Sequence, residues 1–128
     1  MNATNQKGVK NRKLRVLIAD DSPVMRKYLR EVFSMKPGAE VVGEAADGEK
    51  ALEVFRKLKP DVLTLDIQMP KMGGMDVLRK ISGNGCRVIF LTAYADEMYR
   101  KKCLELNVLG FYDKITEFHD FIEFVKLM

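Results

Sequence analysis

Leu14-Arg15-Val16-Leu17-Ile18-Ala19-Asp20-Asp21-Ser22-Pro23 is the stretch on which the fold turns. Its first six residues form an apolar run with one interruption, short and rich in branched side chains, as in a strand buried on both faces of a parallel sheet. Two carboxylates follow at once. Ser22-Pro23 then reads as a helix start, with Ser as N-cap and Pro at the first helical position. A strand passing through an acidic turn into a helix opens a βαβ unit. The pattern partly recurs at Val62-Leu63-Thr64-Leu65-Asp66, where a third carboxylate closes a second buried-type run.

Outward from these runs, five strand-like segments alternate with five helical patterns. Met25, Leu29, Val32 and Phe33 mark the first helix, stopped by Lys36-Pro37-Gly38. Residues 41–45 form the second strand, and Asp47-Gly48 turns into a helix with Ala51, Val54, Phe55 and Leu58 inward. After the third strand, 62–66, a loop holds Pro70, Gly73 and Gly74. Val77, Leu78 and Ile81 line the third helix. Residues 87–92 are the fourth strand. A more polar fourth helix, roughly 96–106, has Met98, Tyr99, Cys103 and Leu106 as its apolar members. Residues 109–113 form a short fifth strand, and Phe118, Phe121, Ile122 and Val125 line the last helix. The expectation is an α/β, flavodoxin-like (βα)5 three-layer sandwich: a doubly wound parallel sheet of strand order 2-1-3-4-5 with helices on both faces.

The chain's 128 residues suffice for one domain with a core. The net charge of +4 is unevenly placed: Lys7, Lys10, Arg12, Lys13 and Arg15 lie in the first fifteen residues without an acid, leaving 17 of the 22 basic residues against all 18 acidic ones. This predicts a basic, disordered leader over 1–13 and a nearly neutral domain over 14–128. Five charges without a recognition motif argue against nucleic acid as a partner. No apolar run reaches membrane-span length and no signal peptide is apparent, so a cytoplasmic protein is expected. Cys86 and Cys103 fit no metal or redox spacing, which favours two reduced thiols. His119, the single histidine, reads as an exposed helix residue.

Phosphate and nucleotide motifs are missing: Ala-Asp-Asp-Ser-Pro stands where a G-x-G-x-x-G would follow the first strand, and there is no P-loop. The strand ends carry something else. Asp20 and Asp21 follow strand one, Asp66 strand three, Thr92 ends strand four, and Lys114 follows strand five. In open α/β sheets ligands bind beyond the carboxyl ends of the strands, at the topological switch. Strands one and three are neighbours in the expected order, so three carboxylates meet there and need a cation, a shared proton or both. Carboxylates with a backbone carbonyl and waters suit Mg2+. A lysine and a hydroxyl remain for phosphoryl oxygens, and a carboxylate can act as nucleophile.

These motifs together resemble the receiver domains of two-component response regulators. The matching stretches are Val16 to Ser22, Pro60 to Pro70, Phe90-Leu91-Thr92-Ala93 and Lys114, and the phrasing around Asp66 is most similar to the chemotaxis branch, including the methylesterase receiver. The resemblance implies a phosphoacceptor, Asp66, served by a histidine kinase. It implies Mg2+ (or Mn2+) held by Asp21, Asp66 and the backbone carbonyl of Gln68, with Asp20 acting through water. Lys114 and the Thr92 hydroxyl would hold phosphoryl oxygens. Phe111 matches the switch aromatic that turns inward when Thr92 engages the phosphate, although ordinary core packing accounts for it nearly as well. Tyr94 and the Gln68 side chain would tune dephosphorylation. The helix 4–strand 5–helix 5 surface would then bind an unknown downstream target, as a monomer or a phosphorylation-dependent dimer.

Two departures from the family pattern stand out. Ile115 follows Lys114 where Pro is usual, leaving that peptide either trans or a strained cis. Gly73-Gly74 replaces a polar residue followed by glycine, which predicts a more flexible loop. The chain stops directly after the fifth helix, so output is expected through a partner, a phosphate relay, or a domain outside it. The competing reading is an aspartate-nucleophile phosphatase or phosphotransferase. Those enzymes typically place a second Asp where Gln68 stands. The chain is thus expected to be a phosphorylation-controlled signalling module rather than an enzyme in its own right.

Overall fold

The computed structural model describes residues 12–106 and 108–128. Ten elements alternate: β1 (Leu14–Ala19), α1 (Pro23–Ser34), β2 (Ala39–Ala45), α2 (Gly48–Leu58), β3 (Val62–Leu65), α3 (Gly74–Ile81), β4 (Arg87–Thr92), α4 (Glu97–Glu105), β5 (Gly110–Asp113) and α5 (Phe118–Leu127). The strands form one parallel sheet of order β2-β1-β3-β4-β5. This is the doubly wound, flavodoxin-like α/β fold expected. Strand and helix ends differ from the expected ones by one or two residues; β2, for example, begins at Ala39. The leader expected over 1–13 lies outside the described residues except for Arg12 and Lys13.

The period-two alternation of the central strands divides the core into two layers. Leu17, Leu63, Leu65, Val88 and Phe90 face α2, α3 and α4. Val16, Ile18, Val62, Ile89 and Leu91 face α1 and α5, where Leu29, Phe33, Phe121 and Val125 meet them. Burial on both faces is why these strands are continuous apolar runs. Three of the five helices start on a side-chain cap. Ser22 Oγ accepts from Met25 N–H at 3.1 Å, Asp47 caps α2 through Lys50 N–H at 2.7 Å, and Asp96 caps α4 through Tyr99 N–H at 2.9 Å.

Helix α4 is as polar as its sequence suggests. Of its four apolar residues read from the sequence, only Cys103 is buried; Tyr99 is half-buried, while Met98 is 79% and Leu106 43% exposed. The cause is composition: Glu97, Arg100, Lys101, Lys102 and Glu105 leave too few apolar positions for a continuous stripe. Both cysteines are free, and burial pushes the thiol of Cys103 up to about 11 and that of Cys86 up to about 12. No helix among the described residues is long and apolar enough to cross a membrane. His119 is exposed on α5, as expected.

Among the described residues one buried side-chain polar atom lacks a partner, the Thr64 hydroxyl in β3. Thr64→Val exchanges that hydroxyl for a methyl of similar shape and removes its desolvation cost. Denaturant unfolding is expected to show the variant more stable by about 1 kcal/mol; an equal or lower stability would contradict this account of Thr64.

Candidate functional site

Backbone hydrogen bonds continue past the strand ends and set the site's geometry. Asp20 N–H donates to the Ala45 carbonyl at 3.0 Å, Asp66 N–H to the Ala19 carbonyl at 3.1 Å, and Lys114 N–H to the Thr92 carbonyl at 2.9 Å. Three chemically active residues are thus pinned to the carboxyl edge, each by the neighbouring strand. Asp20, Asp21 and Asp66 each place a carboxylate oxygen within 4.8 Å of the others. Asp20 and Asp66 are buried and Asp21 is exposed.

Lys114 enters this cluster directly. Its Nζ lies 2.7 Å from Asp20 Oδ2 and 2.8 Å from Asp66 Oδ2, so one ammonium bridges both buried acids. Asp20 Oδ1 also accepts from Ser22 N–H at 2.9 Å, and Asp66 Oδ1 from Gln68 N–H at 3.3 Å. Burial raises the Asp20 carboxyl above the usual range, against the lowering effects of Lys114 and Ser22 N–H. For Lys114, burial works against the charge, but the hydrogen bonds and charges of Asp20 and Asp66 outweigh it and hold the ammonium above the usual lysine range. The donor set suits a hard divalent cation: all-oxygen, with buried and exposed carboxylates converging.

A cleft of about 430 Å³ opens over the cluster, lined by Asp21, Asp66, Gln68, Met69, Tyr94 and Lys114 among others. The Gln68 side chain is exposed, and Tyr94 is 56% exposed at the rim. Thr92 is fully buried, its Oγ1 accepting from Tyr94 N–H at 3.1 Å, so its hydroxyl lies beside the cleft rather than in it. Phe111 is buried, its ring centre 6.0 Å from that of Phe90. No cis peptide occurs among the described residues, so the Lys114–Ile115 bond is trans.

Two features escaped the sequence reading. Gly74 is not a source of slack: a Cβ there would stand 2.1 Å from the Asp66 carbonyl oxygen, and its N–H donates to the Ile67 carbonyl at 2.9 Å. The helix start is pressed against the backbone of the acidic loop, which corrects the expected flexibility at that position. Arg26 was also missed. From the first turns of α1 its Nη1 reaches the Asp20 carbonyl at 2.6 Å, and its Nε pairs with Glu44 of β2 at 3.2 Å. A basic residue four after Ser22 was the available signal, but an exposed helix face explains such a residue equally well.

Known proteins agree with this geometry. The family described as response regulator receiver domain matches residues 16–126. A protein-glutamate methylesterase/protein-glutamine glutaminase of Pyrococcus abyssi is 43% identical over 106 residues, covering 80% of this chain and 29% of the relative. The corresponding protein of Koribacter versatilis is 40% identical over 107 residues, covering 81% of this chain and 30% of its own length. The chain thus spans less than a third of these relatives. The response regulator domain of Thermotoga maritima CheB superposes with a TM-score of 0.78 at 31% identity, covering 91% of this chain and 98% of that one. The CheX–CheY–BeF3–Mg2+ complex of Borrelia burgdorferi gives a TM-score of 0.79 at 33% identity, covering 86% and 84%. With the sheet order, the acidic cluster and Lys114 at the carboxyl edge, these likenesses show that the chain belongs to the response regulator receiver domain family.

Proposed function

We propose that this chain is the phosphoacceptor module of a two-component signalling system, with Asp66 as the acceptor. The observation that carries the proposal is the bridge from Lys114 to Asp66 and Asp20 beneath an open cleft. A buried carboxylate there is held by a cation and remains accessible from solvent. The donor is a phosphohistidine of a histidine kinase. An Asp66 oxygen attacks phosphorus, the P–N bond breaks, and its electron pair returns to the imidazole, leaving an aspartyl phosphate. Lys114 keeps an ammonium next to the incoming oxygens, and Thr92 retains a hydroxyl proton to donate to one of them.

Asp21, Asp66 and the Gln68 carbonyl would hold Mg2+ (or Mn2+), with Asp20 acting through water; the neighbour from Borrelia is a Mg2+ complex. The ion supplies charge neutralisation for the phosphoryl oxygens and for the acids themselves. Movement of Thr92 and Lys114 toward the phosphoryl group would be read out by α4, β5 and α5, the surface for a downstream protein. Likeness to methylesterase receivers supports chemotaxis-type signalling, and we take that signalling to be cytoplasmic. Beyond its own phosphorylation and dephosphorylation the domain carries out no catalysis.

Incubation with Mg2+ and a small phosphodonor is expected to add one phosphoryl group, read by intact mass. Equal labelling of Asp66→Asn would contradict the assignment. Tyr94, at the cleft rim, should restrict water's approach to the phosphoryl group. Tyr94→Ala is expected to shorten the phosphorylated half-life roughly two- to fivefold, and an unchanged half-life would remove Tyr94 from this role.

Asp20 gives a pH dependence. Its raised pKa means that the folded chain keeps this proton to higher pH than the unfolded chain does. As pH rises through that window the metal-free chain therefore loses stability, while Mg2+ affinity increases. Asp20→Asn should stabilise the metal-free domain and abolish most of the rise in melting temperature that Mg2+ confers on the wild type. A variant that is destabilised without metal, or that keeps the full Mg2+ response, would refute this.

A further inference from the structure

Residues 113–117 lead from β5 into α5 and present Lys114 on the way, without a proline to stiffen them. Local hydrogen bonds do the stiffening instead. Asp113 Oδ1 accepts from Ile115 N–H at 2.7 Å and from Thr116 N–H at 3.0 Å, and Glu117 Oε1 accepts from Asp113 N–H at 2.9 Å. Glu117 is itself gripped from α4. Arg100 Nη2 lies 2.7 Å from Glu117 Oε1, its Nη1 donates to the Phe111 carbonyl at 3.0 Å, and its guanidinium carbon stands 4.9 Å from the centre of the Phe111 ring. One side chain therefore holds the residue three before Lys114 and the residue three after it.

The fork geometry matters. A planar guanidinium can stack on a ring while its nitrogens bond two acceptors, which an ammonium cannot reproduce. The network is ionised at neutral pH: Arg100 holds the Glu117 carboxyl below its usual range, and the Thr116 and Ile115 N–H groups do so for Asp113. It also matters to α4, whose only buried side chain is Cys103. Arg100 supplies side-chain hydrogen bonds from α4 to β5 and to the turn beyond it.

We propose that Arg100 is a positioning residue for the chemistry at Asp66: by clasping Phe111 and Glu117 together it holds the Lys114 turn in its reactive arrangement and makes the docked position of α4 part of that arrangement. The inference rests on the phosphoacceptor reading above and deepens it. Only the fraction of molecules with Lys114 correctly presented takes up a phosphoryl group, so loosening the clasp lowers the apparent rate in proportion. A partner that lifts α4 from β5 pulls Arg100 off Glu117 and has the same effect; one that presses α4 down opposes it.

The test uses the full chain with Arg100→Met, Glu117→Gln and the double variant. Two quantities are measured: amide hydrogen exchange at Asp113 and Ile115 by NMR, and the rate of Asp66 phosphorylation by acetyl phosphate at saturating Mg2+, where an Asp66 oxygen bonds phosphorus and acetate leaves. Each single variant is expected to exchange faster at both amides and to phosphorylate roughly three- to tenfold more slowly, with the double variant no worse than the singles. Arg100→Lys should rescue neither quantity. Unchanged exchange, a rate within about twofold of wild type, additive losses in the double variant, or rescue by lysine would each overturn the clasp while wild-type labelling stays intact. A wild-type chain that takes no phosphoryl group overturns the phosphoacceptor reading and the chemical half of the proposal with it; exchange at Asp113 and Ile115 then decides whether the clasp holds the turn.

Discussion

Everything at the carboxyl edge depends on the bridge that Lys114 makes between Asp20 and Asp66. Two buried like charges this close are tolerable only with a positive charge between them or a proton on one of them. The fold gives them no freedom to separate, because each backbone is tied into the neighbouring strand's ladder. The sheet therefore maintains an electrostatic conflict, and the lysine relieves it from the far strand. The same arrangement makes the site responsive. A cation or a phosphoryl group that enters the cluster changes what Lys114 must neutralise, and Lys114 sits on the turn that joins β5 to α5.

Rigidity around the acids comes from close backbone contact rather than from bulk. Gly74 lets the start of α3 lie against the Asp66 carbonyl, and Gly48 does the same for α2, where a Cβ would stand 1.8 Å from the Met72 carbonyl oxygen. The loop after β3 is thus held between two helix N-termini. Arg26 adds a third restraint on the Asp20 carbonyl. The acids themselves are short side chains, so fixing the backbone fixes their charge to within a rotamer.

The sheet order and the grouping of the acids were legible because they rest on strong local signals: buried apolar runs of strand length, capped helix starts, and carboxylates at run ends. What was not legible depends on long side chains and on approach distances. Nothing in the pattern around Lys114 shows that its ammonium crosses to both Asp20 and Asp66. Arg26 and Arg100 resemble any exposed helical arginine until their partners are known. Gly74 was read for its conformational freedom, whereas its value is the missing Cβ. In α4 four apolar residues among many charges give a period too weak to say which of them is buried, and tertiary contacts place only Cys103 in the core.

That thin anchoring has an energetic consequence. Stability within a domain is not uniform, and segments with few buried apolar groups open at a fraction of the global unfolding free energy. With Cys103 as its only buried side chain, α4 forms such a segment, flanked by the exposed Tyr94 on one side and the exposed Leu106 and Leu109 on the other. Among the five helices, α4 thus has the fewest buried side chains to hold it in place, while the strands that carry the acids are buried on both faces. On the function proposed above, a change of charge at the carboxyl edge would act on α4 before it disturbs the strands.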